Sequence, residues 1–320
     1  LNPDTLVSED AISGCLAFMD RQKDAGAVGL KMLQVDGVKA PESRRGFPSP
    51  FTSFCKFFHL HRLFPNIRLF NRYYLSFLSW NVPSEIDVVS GAFMMIRRAA
   101  LQKVGLLDED YFMYGEDIDL SFRLKKAGYT NWYLPFSILH YKGQSTKKTS
   151  YRYVHVFYGA MMTFLNKHYH GAYGVLKWPL TAIVGMVALL SLLRLQIQTL
   201  GRKVRCFVSS SEELSTYYVL GSEAMQADCR LIMDKYSLKG VFLKPIDGQR
   251  EPDWASLEDM EIGSKRNRKH TKAVLVVDSS RFTCKQILKL AEKLAGRQFM
   301  IAIYWPETHQ IITSDEVFHT

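Results

Sequence analysis

One short acidic stretch stands out in this sequence, FMYGEDIDL at residues 112–120. Its three carboxylates fall in the first turn of an otherwise apolar helix that we expect from Ile118 to Lys126, ended by Gly128. Acids at a helix N-terminus stabilise the helix by about 0.3–1 kcal/mol each, so a purely structural role is one interpretation. The glycine just before the acids favours a second one, because it lets the backbone approach a ligand closely. The stretch therefore predicts a helix start that faces a cleft.

The pattern around this stretch is that of an α/β protein. We expect a helix from Asp10 to Asp24, strands from Val28 to Val35 and from Val88 to Arg97, a short helix from Arg98 to Val104, and a strand from Asn131 to Leu134. Helices that alternate with short apolar strands are typical of layered α/β folds.

Composition narrows the class of protein. The chain has 320 residues, 47% of them hydrophobic and 22% charged, which excludes wholesale disorder and a disulfide scaffold and allows two domains. Its 41 basic and 31 acidic residues give a net charge of +10, which suits an anionic partner or a membrane surface. Five scattered cysteines predict reduced thiols in a cytosolic setting. The sequence opens at Leu1 without a signal peptide, and we expect it to begin part-way through a longer protein.

Two segments suggest contact with a membrane. Residues 47–80 interleave aromatic rings with cations, which suits nucleobase stacking, a lipid headgroup layer or simple coverage of the core. Residues 151–202 begin with an amphipathic pattern, and the run from Trp178 to Leu193 has no charge. That run is shorter than the roughly 20 residues of a spanning helix, so we expect an embedded or re-entrant segment, with a buried core helix as the alternative.

The remainder, residues 203–320, shows a second and smaller α/β pattern. We expect strands at Val204–Ser209, Val241–Leu243, Lys272–Asp278 and Phe299–Tyr304, and helices at Glu212–Asp228 and Thr283–Leu294. The basic run within residues 263–272 is most simply a solvated loop. The layout suggests a Rossmann-like domain, but no G-x-G-x-x-G motif follows its first strand. The sequence of this segment predicts no catalytic or binding site.

Three further short pieces accompany the acidic stretch, namely Asn2-Pro3-Asp4, Ser90-Gly91-Ala92 and Ile138-Leu139-His140, together with the run SRRGFP at residues 43–48. Each is weak alone. In this order and spacing, the set resembles the later two-thirds of a family 2 glycosyltransferase catalytic domain with the GT-A fold, and within that family the rhamnosyltransferase-type enzymes. The likeness covers about residues 1–150.

The resemblance implies a metal site for the leaving group. Asp4 corresponds to the acidic residue that holds Mg²⁺ or Mn²⁺ on a sugar-nucleotide diphosphate, and His140 to a late histidine that completes the metal shell or contacts the diphosphate. Oxygen ligands suit these cations. Asn2 stands where many relatives carry a first aspartate, which leaves Asp4 as the main carboxylate.

The resemblance also implies a catalytic base. Asp117 matches the residue that takes the proton from the acceptor hydroxyl in an inverting transfer, with Glu116 and Asp119 tuning its pKa. Gly91 is expected to lie close to the donor sugar. Arg44 or Arg45 could pair with the diphosphate, since guanidinium suits phosphate oxygens, although a solvated turn is an equal alternative.

These roles together imply a metal-dependent transfer of a sugar from a nucleotide-diphosphate donor, with dTDP-rhamnose as one candidate. The acceptor would be a lipid-linked or cell-surface polysaccharide, reached at the cytoplasmic face of the cell membrane. A glycoside hydrolase is disfavoured because the acids share one helical turn. Nucleic-acid binding is disfavoured because the cations are scattered. A non-catalytic membrane scaffold or nucleotide-binding protein that retains the fold is the main alternative.

Overall fold

A computed structural model describes residues 1–49, 67–141, 151–168, 215–243, 273–297 and 299–320, together with single positions between 51 and 64 and between 178 and 197. Two α/β units lie in these ranges, one before residue 142 and one from residue 215 onward. The α/β class expected from the sequence is confirmed.

The first unit is built on a mixed sheet. Its described strands are β1 (Thr5–Val7), β2 (Ala25–Leu33), β3 (Ser84–Ile86), β4 (Met95–Ile96) and β5 (Thr130–His140). The order is β1-β5-β2-β4, with β3 also on β5; only β2 and β5 run parallel. All nine residues of β2 are buried, as expected of a central strand covered on both faces. The sheet therefore needs helices on each side.

Helices cover both faces of this sheet. They are α1 (Ala11–Arg21), α3 (Arg98–Val104) and α4 (Glu116–Lys126), whereas the single turn α2 (Leu60–Leu63) buries none of its residues. On one face, α1 packs Cys15 and Met19 against the sheet. On the other, α4 packs Leu120 and Leu124 against Tyr133. The acidic helix start is thus fixed by the apolar positions of its own helix.

The strand expected from Val88 to Arg97 is largely wrong. Only Met95 and Ile96 pair with the sheet, and residues 88–94 leave it as an irregular loop. Val89 is fully buried, which imitates a strand pattern, but its N–H donates to Ser121 Oγ on α4 at 3.1 Å.

The aromatic segment between residues 47 and 80 is divided between core and surface. Phe47 stacks edge-on against Phe122 of α4, with ring centres 5.2 Å apart, and Trp80 packs on Tyr133. Phe64 and Phe77, by contrast, are exposed. Coverage of the core therefore explains only part of its aromatic content.

The amphipathic helix is present as α5 (Tyr151–His168), which packs on α4 through Phe164 and Phe122 at 5.6 Å. Beyond it, the described positions between 178 and 197 are helical. Several expose large apolar side chains, most of all Trp178 and Ile197. In the part of the chain that is described, no helix combines the length and the apolar character needed to span a bilayer.

The second unit contains β6 (Thr216–Leu220), α6 (Glu223–Lys235), β7 (Lys239–Phe242), β8 (Ala273–Asp278), α7 (Cys284–Leu294), β9 (Phe299–Trp305), β10 (Gln310–Ile312) and β11 (Val317–His319). The strand order is β11-β10-β9-β8-β6-β7. The four strands from β9 to β7 are parallel, as in a Rossmann-like sheet.

The helix expected from Glu212 to Asp228 is wrong in its first part. Residues 216–220 read TYYVL and form β6, because aromatic and β-branched side chains suit a buried strand. The helix starts later, at the N-cap Ser222, whose side chain accepts a hydrogen bond from the Met225 N–H. The strand expected at 204–209 and the basic loop at 263–272 lie outside the described residues.

Candidate functional site

The structure brings Asp4 and His140 together at the end of the β1–β5 pair. Thr5 of β1 lies opposite His140 of β5, and the Tyr141 N–H donates to the Asp4 carbonyl at 2.9 Å. This register places Asp4 Oδ1 at 3.2 Å from His140 Nε2. The Asn2 amide is 3.3 Å from the same ring nitrogen. The pair expected from the sequence is therefore close enough to share a ligand.

Two backbone hydrogen bonds connect this corner to the acidic helix. The Asn2 N–H donates to the Ala92 carbonyl at 3.0 Å, and the neighbouring Gly91 N–H donates to Asp117 Oδ2 at 3.1 Å. A Cβ atom added to Gly91 would lie 3.5 Å from the Asp117 Cβ. Gly91 thus faces Asp117 directly, and the Asn-Pro-Asp corner and the start of α4 lie on either side of one loop.

Asp117 is held by Arg45. The guanidinium Nη2 donates to Asp117 Oδ2 at 2.5 Å, and each side chain is 14% exposed. Burial alone would lower the pKa of Arg45, but the Asp117 carboxylate together with Tyr73 and Glu42 outweighs burial and raises that pKa. Of the two arginines expected near a diphosphate, Arg45 is the one that reaches the site. It also fixes the direction of the carboxylate.

Arg44 does not reach the site, which corrects both interpretations offered for it. Its side chain is 1% exposed, stacks on Trp80 at 3.6 Å and donates to the Leu78 carbonyl at 2.5 Å. The backbone at Arg44 is extended, so consecutive side chains point to opposite sides. Arg45 therefore faces the site while Arg44 enters the core, where neither solvent nor a diphosphate reaches it.

Glu116 lies next to Asp117 as a half-buried acid. Within the described residues, its buried Oε2 has no hydrogen-bond partner. Burial is the main reason that its pKa is raised, and the Asp117 charge adds to the effect. A carboxyl group takes up a proton more readily when its pKa is raised, and in that form it can donate a hydrogen bond.

Asp119 points away from Asp117, so the structure does not support a tuning role for it. Its carboxylate is 1% exposed and pairs with Arg123 at 2.7 Å and with His168 of α5 at 2.5 Å. Burial opposes ionisation, but these two partners outweigh it and lower the pKa of Asp119. The third acid of the run therefore joins α4 to α5.

Sequence reasoning missed the polar contacts that hold the loop at residues 87–91 against α4. Ser121 of α4 accepts from Val89, and the Asn131 amide donates to the Ser121 carbonyl at 3.0 Å and to the Asp87 carbonyl at 2.8 Å. These residues are distant in sequence and belong to no motif, so only their polarity within apolar runs marked them. They position Gly91, and through it Asp117.

The donor atoms at Asp4 and His140 fit a divalent cation in part. A carboxylate oxygen and an imidazole nitrogen are normal ligands for Mn²⁺, and the Asn2 amide oxygen could supply a third. In the described ranges, no cluster of three or more His, Cys, Asp or Glu side chains could hold a metal ion by itself. A cation there would therefore complete its ligand shell with oxygen atoms of a substrate or of water.

Comparison with known proteins agrees with the motif pattern. Residues 1–208 match the family described as glycosyl transferase family group 2. An N-acetylglucosaminyl-diphospho-decaprenol L-rhamnosyltransferase of Mycobacterium tuberculosis is 31% identical over 184 residues, 56% of this chain and 58% of that protein. Rhamnosyltransferase WbbL of Escherichia coli K12 is 44% identical over 57 residues, 18% of this chain and 22% of that protein.

These matches are partial in length. The chain spans less than two thirds of the length of the mycobacterial relative. No solved structure matches the chain. The family match nevertheless covers well over half of the 320 residues and contains Asp4, Gly91, Asp117 and His140. The chain belongs to glycosyl transferase family group 2.

Proposed function

We propose that this chain is the catalytic part of an inverting, metal-dependent glycosyltransferase. It would move a sugar, with rhamnose as the candidate from its relatives, from a nucleotide-diphosphate donor to a lipid-linked acceptor. The observation that carries the proposal is the chain of contacts from Asn2 through residues 91–92 to Asp117, which brings the Asp4 corner to the acidic helix.

Asp117 is the proposed base. The acceptor hydroxyl oxygen forms a bond to the anomeric carbon, the bond from that carbon to the diphosphate oxygen breaks, and the hydroxyl proton passes to the Asp117 carboxylate. Arg45 and the Gly91 N–H hold Oδ2 in place before the reaction. Proton transfer to Oδ2 weakens its ion pair with Arg45, so the proton goes most readily to the other oxygen.

Asp4 and His140 would hold the cation, with Asn2 beside them. When bound, Mg²⁺ or Mn²⁺ would neutralise negative charge on the leaving diphosphate. The proposed cation site and the proposed base lie on opposite sides of the loop that carries Gly91. This separation keeps the cation from pairing with the carboxylate that must accept the proton.

A peripheral position at the cytoplasmic face of the membrane is part of the proposal. Trp178 and Ile197 are 79% and 68% exposed, and Phe64, Phe77 and Arg68 of the 47–80 segment are exposed as well. Exposed apolar side chains flanked by cations are typical of interfacial helices. Flotation with anionic vesicles tests this, and serine at Trp178 and Ile197 should reduce the bound fraction. Equal flotation of the variant would contradict it.

The catalytic role is tested with Asp117→Asn. We expect transfer of rhamnose from dTDP-rhamnose to an N-acetylglucosaminyl-diphospho-polyprenol to fall by about 100-fold or more, the usual contribution of a general base. Asp20→Asn, an exposed acid on α1, serves as the control. A rate unchanged by Asp117→Asn would contradict the assignment of Asp117 as the base, whereas no transfer by the unsubstituted chain would favour a scaffold that retains the fold without catalysis.

A further inference from the structure

The second unit is joined to the first through helix α7. At the start of this helix, Glu9 Oε1 accepts from the Cys284 N–H at 2.6 Å and Oε2 accepts from the Lys285 N–H at 3.0 Å. The neighbouring Asp10 pairs with the Lys285 amine at 2.6 Å. Two acids from the first unit thus satisfy the N-terminal amides and a side chain of α7, which a helix N-terminus favours electrostatically.

The same helix is held at its other end. Glu292 accepts from Lys31 of β2 at 2.6 Å and from Ser137 of β5 at 2.8 Å. The Lys31 residue is only 7% exposed, so the ion pair with Glu292 lies largely out of water. Breaking such a buried pair leaves an uncompensated charge. The orientation of α7 on β2 and β5 is therefore fixed by polar contacts at both ends.

The two units pack backbone against backbone at Gly37. A Cβ atom on Gly37 would lie 1.8 Å from the Ala291 carbonyl oxygen of α7, far inside contact distance. A backbone hydrogen bond from Ile301 to Val35, at 2.8 Å, lies beside it. Because a backbone atom cannot move aside as a flexible side chain does, any side chain at this position must displace the helix.

This interface continues into the strand that carries His140. Leu139 and Tyr141, on either side of His140, are buried in one apolar cluster with Leu288 and Ala291 of α7. The Tyr141 N–H is also the donor that fixes the Asp4 carbonyl. A shift of α7 would therefore move, through direct packing, both residues of the proposed cation pair.

We propose that the second unit, residues 215–320, is a positioning element for the transfer reaction: docking of α7 holds Asp4 and His140 at the spacing that the leaving-group site requires. This inference rests on the proposed function. It assigns a role to a part of the chain that lies beyond the family match, which ends at residue 208.

The test compares Gly37→Ala with Gly128→Ala in the whole chain. Both glycines have positive φ, +74° and +92°, so both variants carry similar backbone strain, but Gly128 has no atom within 4 Å of an added Cβ. Amide hydrogen exchange at Ile301 reports docking, and exchange at Tyr141 reports the Asp4 contact. Transfer rate and the Mn²⁺ concentration for half-maximal rate are measured on the same samples.

We expect Gly37→Ala to speed exchange at both amides, to raise the Mn²⁺ requirement and to lower transfer by about 100-fold, the cost of a displacement of roughly 1 Å. Gly128→Ala should leave all four measurements close to those of the unsubstituted chain. Faster exchange at Ile301 with unchanged exchange at Tyr141 would overturn the inference. Unchanged exchange at Ile301 would also overturn the inference, because the interface would then accommodate the added side chain without a change in docking.

A milder variant covers the case in which Gly37→Ala does not fold. Glu292→Gln weakens the contact with Lys31, and the exposed Glu307→Gln is its control. Faster exchange at Tyr141 in Glu292→Gln alone supports the inference, and equal exchange in the two variants contradicts it. If the unsubstituted chain transfers no sugar, the proposed function fails, whereas exchange at Tyr141 still tests the coupling.

Discussion

Replacing Asp119 with asparagine should destabilise the first unit without removing any atom from the proposed reaction. The Asp119 carboxylate is 1% exposed and carries two partners, Arg123 and His168. Removing one member of a buried ion pair costs about 3–5 kcal/mol. Arg123 would keep the carbonyl groups of Val104 and Leu106 as acceptors, at 2.7 and 2.9 Å. We therefore expect the lower end of that range, about 3 kcal/mol.

The pH dependence of this loss has a definite sign. The pKa of Asp119 is lowered in the folded state because His168 and Arg123 outweigh burial. The stabilisation is fully present above the unfolded pKa of Asp119 and is lost as the pH falls through the folded pKa. The difference in unfolding free energy between the unsubstituted chain and Asp119→Asn should therefore be largest near neutral pH and shrink toward strong acid.

Thermal and urea unfolding measure the effect. A loss of about 3 kcal/mol corresponds to roughly 6–12 °C in Tm for a unit of this size. The control is Glu85→Gln, which removes an exposed partner of Lys125 at 3.2 Å and should cost under about 1 kcal/mol. Our assignment of Asp119 to α4–α5 packing is refuted if Asp119→Asn unfolds like the control, or if the difference does not change with pH.

Three further substitutions separate roles within the site. Glu116→Gln should have a higher free energy of unfolding than the unsubstituted chain at pH 7 and an equal one below about pH 4. Burial raises the pKa of Glu116, so the folded state of the unsubstituted chain loses stability as the pH rises; urea unfolding at both pH values checks this. Arg44→Ala should cost about 3 kcal/mol through the lost Trp80 stacking and the unpaired Leu78 carbonyl, with the KM for the donor unchanged; a raised KM would restore a diphosphate role. Asp4→Ala should raise the Mn²⁺ requirement with little change in Tm; an unchanged requirement in titrations would place the cation elsewhere.

Much of the fold could be predicted because its signals are local. Helix α4 follows from its glycine, its acids and its apolar spacing, and β8 and β9 follow from continuous apolar runs. The errors at residues 88–97 and 212–228 have one cause. Apolar side chains indicate burial but not hydrogen-bond partners. The loop at Val89 therefore resembles a strand, and the strand at Thr216 resembles the first part of the helix that follows it.

The candidate site was predictable in its residues but not in its contacts. Motifs predict Asp4, Gly91, Asp117 and His140, whereas the contacts that join them link Gly91 to Asp117, 26 residues apart, and Asp4 to His140, 136 residues apart. The helix and strand periodicities of a sequence do not identify contacts between residues so far apart. The interface with α7 was missed for the same reason, since Gly37 and Ala291 belong to different units and neither lies in a motif.

Helix geometry explains how one acidic run can supply three different carboxyl groups. Residues two apart on a helix do not face each other, so Asp117 and Asp119 must lie on different sides of α4. Asp117 meets Arg45 and Gly91 at the site, whereas Asp119 meets Arg123 and His168 on the side packed by α5. Glu116 lies next to Asp117, and its buried Oε2 has no hydrogen-bond partner among the residues that the structure describes. The order Glu-Asp-x-Asp thus places the proposed base, an acid whose pKa is raised by burial and a structural ion pair within one turn. An additional residue between Asp117 and Asp119 would turn the last acid toward solvent or the site and break the contact with α5.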